Sequence, residues 1–138
     1  MDSLAGNKAV VRRHFDAMNQ KRPEVWDEIM VDEFTLHSSV VRPGRSNYVA
    51  ALAVAWAAFP DYRVELLDLV AEGDRVAARY VDRGTHLGDF LGIAPSGRSY
   101  AKHGLALYRV EQDRLVEAWF QEDDAAFQQQ LFGRDSSR

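Results

Sequence analysis

Two tight turns constrain this chain more than any other feature. Glu72-Gly73-Asp74 lies between the β-rich run Tyr62 to Val70 and a return run, Arg75 to Arg83. A glycine between acids, flanked by such runs, is a hairpin signal. Gln112-Asp113 likewise separates Ser99 to Val110 from Leu115 to Gln121. The second half therefore predicts a four-strand antiparallel meander. Between the two hairpins, Gly84 to Gly97 holds five glycines or prolines and reads as a loop.

The first half has a different period. Val11, Phe15 and Met18 fall on one face of a helix over about Asn7 to Asn19. His14 lies beside that stripe and reads as a surface or boundary residue. Pro23 suits the first turn of a second helix with Trp26, Ile29 and Met30 as its stripe. A short extended piece, Glu33 to His37, precedes the turn-rich Arg42 to Ser46. Ser46 is a good N-cap for a third helix, Asn47 to about Phe59, closed by Pro60-Asp61. That helix is apolar almost all round, which predicts burial on several sides. Asp124 to Phe132 reads as a short terminal helix. Helices ahead of antiparallel strands predict the α+β class. With no repeat or linker in view, residues 1–138 read as one domain.

Composition narrows the function. A chain of 138 residues without cysteine has no disulfide, no thiolate nucleophile and no cysteine zinc site. Acids and bases interleave around a net charge of -4, with no basic stripe for nucleic acid. The N-terminus lacks the basic start and apolar run of a signal peptide, and no apolar stretch is long enough to span a membrane, so a cytoplasmic protein is expected. Four histidines are present, but none is spaced as a metal-binding pair, so no metal is expected. The loop glycines do not match a phosphate cradle.

A twisted sheet curling over a long helix leaves a cavity where its strands diverge. Trp26, Trp56, Phe59, Tyr80, Phe90 and Trp119 are large enough to line one, although each also fits plain core packing. Alternation puts Trp119, Gln121 and Asp123 on one strand face, and His103, Leu105 and Leu107 on one face across the hairpin. Val116, Ala118 and Phe120 share the opposite face, and alternation alone leaves open which face is concave.

Two stretches are more specific. One is Gly73-Asp74-Arg75-Val76-Ala77-Ala78-Arg79 followed by Gly84-Thr85-His86 through Pro95-Ser96-Gly97-Arg98. The other is Tyr108-Arg109-Val110-Glu111, then Leu115 to Trp119, Asp123, and Gln129-Gln130-Leu131. With Asn7-Lys8, Phe34, His37 and Phe59-Pro60-Asp61, they resemble the SnoaL-like polyketide cyclase family over nearly the whole chain. The resemblance implies an NTF2-like cone: a curved antiparallel sheet wrapped over N-terminal helices around one apolar pocket.

It also implies chemistry. Named members of the family close the last ring of aromatic polyketides in antibiotic biosynthesis, by intramolecular aldol condensation without metal or organic cofactor. Their acid/base is an aspartate after the last strand, four residues beyond a tryptophan or its equivalent, which here is Asp123 after Trp119. Desolvation in an apolar pocket would make such a carboxylate a usable base. Asp123 can instead cap the terminal helix, a role for which Asp124 is better placed. His37 and His103 are the other candidate catalytic residues; at position 103 relatives often carry a smaller polar residue. Trp26, Trp56, Phe59, His86, Phe90, Trp119 and Gln121 are the expected substrate-binding residues, and His86 alternatively holds its loop in shape. The expected partner is an apolar small molecule, with the protein as a homo-oligomer. A cyclase-like hydroxylase, an isomerase and a non-catalytic binding module are the alternatives.

Overall fold

The computed structural model describes residues 3–37 and 41–133. Helix α1 spans Leu4–Gln20. It begins before Asn7 because the Ser3 hydroxyl accepts a hydrogen bond from the Gly6 amide at 2.9 Å. Val10, Val11, Phe15 and Met18 form its buried stripe. His14 is buried with them, contrary to the surface or boundary position expected of it. Helix α2, Val25–Ile29, is a single short turn whose Trp26 and Ile29 are buried. Met30 does not extend α2; it takes an extended conformation and opens strand β1, Met30–Leu36.

Helix α3 spans Arg45–Ala58, with Gly44 rather than Ser46 at its N-cap. Gly44 has φ +117°, which turns the chain into the helix, and the Arg45 guanidinium donates back to the Met30 carbonyl at 2.9 Å. Among the helix's own residues only Tyr48 and Ala58 are fully buried. The expectation of burial on several sides fails: Ala50, Ala53, Val54 and Ala57 are exposed, while Leu52 and Ala55 on the inner face border a cavity.

The remaining elements are β2 (Arg63–Glu72), β3 (Arg75–Thr85), β4 (Ser99–Glu111), β5 (Arg114–Glu122) and α4 (Asp124–Phe132). The strands form one sheet in the order β1-β5-β4-β3-β2. The four-strand meander is thus extended by β1, which pairs parallel with β5. Local periodicity carries no trace of a pairing between segments so far apart in the chain. At the β4–β5 turn Gln112 and Asp113 both have positive φ, 49° and 62°, a pair of values that matches the twist of a tight hairpin.

The cross-strand register builds the inner face in rows. Val76, Tyr108 and Ala118 form one, Ala78, Ala106 and Phe120 the next, then Tyr80, Gly104 and Glu122, and finally Asp82 with Lys102. Helix α4 packs against β4. The Gln130 amide bonds both the Ala101 amide (2.6 Å) and its carbonyl (3.1 Å), continuing the ladder beyond the end of β5. Phe127 and Leu131 pack with Phe59 and Tyr100 in a second apolar cluster. Among the described residues no helix is long and apolar enough to cross a membrane.

Candidate functional site

The inner rows, α3, α4 and the loop after β3 enclose a cavity of about 690 Å³. Phe15, Leu52, Phe59, Tyr62, Phe90, Phe120 and Phe127 make most of its wall aromatic or aliphatic. Loop residues Phe90 and Leu91 lie on one side of it. The loop is tied down by His86, whose Nδ1 accepts the Ser96 amide at 3.1 Å. The Leu87 and Gly88 amides both bond the Ala58 carbonyl at the end of α3.

Four charged side chains interrupt this wall, Asp82, Lys102 and Glu122 together with Asp124 at the start of α4. Asp82 is 4% exposed. Burial pushes its carboxyl up to about 6, against the opposing pull of the Lys102 ammonium and the Tyr100 hydroxyl. Tyr100 donates to Asp82 Oδ2 at 2.8 Å. Glu122 accepts from the Tyr80 hydroxyl at 2.8 Å and lies 3.6 Å from Lys102 Nζ. The ammonium also sits 4.7 Å from the centroid of the Phe127 ring. Both phenols are held well above the usual tyrosine range, chiefly by burial and with the neighbouring carboxylates adding to it. They therefore serve as hydrogen-bond donors, not acids. Together the groups offer a carboxylate that titrates near neutrality, a cation beside it, and an apolar chamber sized for a small molecule.

Residues 8–131 match the sequence model of the family described as SnoaL-like polyketide cyclase. The chain belongs to that family. Solved structures agree with the assignment. IdmH from Streptomyces antibioticus, a candidate polyketide cyclase, is 28% identical with a TM-score of 0.79, over 90% of this chain and 96% of that one. TsrD from Streptomyces laurentii is 26% identical with a TM-score of 0.87, over 97% and 100%. AclR from Streptomyces galilaeus, a candidate hydroxylase, is 25% identical with a TM-score of 0.85, over 97% and 85%. No protein of curated function matches the chain. The fold is the NTF2-like cone of these SnoaL-like neighbours.

Within this SnoaL-like fold the expected site residues separate. Phe59, Phe90 and Gln121 line the cavity. Trp26 is fully buried behind the wall, where its indole donates to His14 Nδ1 at 2.9 Å. Trp56 packs against Trp26 with ring centroids 6.3 Å apart, outside the lining. His86 is buried among Phe59, Phe90 and Phe132 as the organiser of its loop, not a wall residue. Trp119 and His103 stand on the outer face of the sheet, paired with Leu107 and Val81. There Trp119 stacks on His37 at 4.8 Å and lies under the Arg75 guanidinium. His37 bonds Glu117 at 2.7 Å, and Glu117 is also paired with Arg109. Asp123, not Asp124, caps α4: its carboxylate is exposed and accepts the Ala126 amide at 3.0 Å. His37, His103 and Asp123 are thus not among the side chains that line the cavity. Among the described residues, no group of three or more His, Asp or Glu side chains is gathered as metal ligands would be.

Sequence reasoning passed over Asp82, Lys102 and Glu122. Their signal was present in the alternation Val76, Ala78, Tyr80, Asp82: an acid occupying the next position of an apolar strand face. The row containing Glu122 also explains Gly104. A Cβ there would lie 2.6 Å from Tyr80 Cζ and 2.7 Å from its hydroxyl oxygen. Gly104→Ala should displace the phenol from Glu122 and cost about 1–3 kcal/mol by overpacking. Denaturant unfolding of the variant measures this. An unchanged midpoint would show that the phenol has room to move.

Proposed function

We propose that this protein is an acid/base catalyst of intramolecular aldol ring closure on an apolar, polyketide-type substrate. The observation that carries the reading is Asp82: a buried carboxylate at about 6, inside an apolar cavity and beside a cation. In this reading Asp82, not Asp123, exchanges the proton. The Asp82 carboxylate takes a proton from an activated carbon of the substrate. The C–H electron pair passes into an enolate, whose charge the Lys102 ammonium offsets. The enolate carbon then attacks a carbonyl of the same molecule. A carbon–carbon bond forms, and the carbonyl oxygen takes the proton back from Asp82, restoring the carboxylate. Every proton and electron pair is accounted for by substrate and side chains. The cavity folds the two reacting ends together, which replaces a bimolecular encounter.

The test is a pH–rate profile on polycyclic keto-ester substrates. Lys102, Tyr100 and Glu122 act on Asp82, whose carboxyl burial raises to about 6. kcat/KM should rise through pH 6 and level off above pH 7. A profile flat from pH 5 to 8 would overturn the role of Asp82. Likeness to the candidate hydroxylase AclR supports a second reading, oxygenation of the same substrate class. A strict requirement for molecular oxygen and a reductant would select it over ring closure.

A further inference from the structure

The ring-closure reading leaves several buried titratable groups unused, and the bonding of one of them, His14, has a direction. An indole N–H can only donate, so the 2.9 Å bond from Trp26 Nε1 requires His14 Nδ1 to be unprotonated. His14 is fully buried, and burial lowers its ring to about 3, so the imidazole is neutral near pH 7. Its one proton must then sit on Nε2. That nitrogen lies 3.4 Å from the Tyr48 hydroxyl oxygen. The phenol oxygen accepts from His14, which leaves its own O–H to donate elsewhere. Among the described residues its hydroxyl bonds to His14 alone. Tyr48 is 5% exposed and lines the cavity. Its phenol is held above the usual range by burial and by the charge of Glu122 across the chamber, so it keeps its proton.

We infer that Tyr48 is the donor to the oxygen of a carbonyl-bearing ligand in the cavity, with Trp26 and His14 as positioning residues that aim its O–H inward. This rests on the acid/base reading for its use in catalysis, but the donor itself is a property of the binding site. Donation costs least when the hydroxyl need not reorient as charge develops on the ligand oxygen, and the Trp26–His14 pair removes that freedom. The donor also operates independently of Asp82, because neither His14 nor Tyr48 changes charge near neutrality.

The probe is 2-naphthol, a flat apolar phenol whose oxyanion resembles an enolate. Binding is measured in the Asp82→Asn background, where the neutral amide stands in for the protonated carboxyl of the enolate stage. Adding Tyr48→Phe should weaken naphtholate binding about tenfold, the loss of one hydrogen bond to a charged oxygen. Nitrogen-15 spectra of the otherwise wild-type protein should show His14 protonated at Nε2 and bare at Nδ1, a signature that packing alone would not set. Equal naphtholate affinity with and without Tyr48, or the opposite His14 tautomer, overturns the inference. Binding that behaves as expected in a protein that turns over no keto-ester supports the donor and overturns the catalytic reading, so the two failures are distinct.

Discussion

Asp82→Asn should lower kcat by two to four orders of magnitude and leave binding of apolar ligands within a few-fold of the starting protein. The range is that of a general acid/base removed from an otherwise intact site. The amide matches the carboxylate in shape, and its oxygen can still accept from the Tyr100 hydroxyl, which donates to Asp82 Oδ2 at 2.8 Å. What is lost is the ability to take a proton. Asp123→Asn is the paired control. Asparagine caps helices as well as aspartate, so the bond to the Ala126 amide survives and the kinetics should be those of the wild type. Steady-state rates of the two variants on one keto-ester decide between the carboxylates. Loss of turnover in Asp123→Asn with retention in Asp82→Asn would return the acid/base role to the end of β5.

That contrast also shows where sequence reasoning stops. Both hairpins, the loop from Gly84 to Gly97 and the terminal helix were legible, because turn chemistry and period-two alternation are local. Alternation also grouped residues correctly: Leu107 pairs with Trp119 and Leu105 with Gln121. It could not say which face of the sheet is concave. That depends on where α1 and α3 pack, and it is Phe120, not the expected Trp119, that lines the cavity. A family pattern then drew attention to Asp123, although in this chain its carboxylate is committed to the first turn of α4. Strand β1 and the buried His14 share a cause. Each is settled by a partner distant in sequence, β5 for one and Trp26 with Tyr48 for the other. A histidine beside an apolar stripe carries no sign that an indole will reach it.

His14 should make this protein acid-sensitive, and Asp82 should conceal much of that sensitivity. The folded-state value of His14 is lowered from 6.5 to about 3. The unfolded chain therefore binds more protons over that interval. Stability from this group is fully present above pH 6.5 and is lost as pH falls toward 3, by on the order of 5 kcal/mol in all. Asp82 runs the other way. Its value is raised from 3.8 to about 6, so the folded state binds more protons between those limits. Stability from Asp82 is present at low pH and is lost as pH rises through 6, by about 3 kcal/mol. Between pH 6 and 4 the two slopes oppose each other. Exposed carboxylates held low by their partners, such as Asp61 and Glu117, add a small acid-side loss that the two proteins share. Asp82→Asn should therefore be up to about 3 kcal/mol more stable than the wild type at pH 7, with the difference shrinking to nothing near pH 4. Urea unfolding of both proteins at half-unit steps from pH 7.5 to 3.5 measures the difference directly. A gap that does not change with pH would mean that Asp82 carries no raised affinity for a proton, and the catalytic assignment would lose its physical basis.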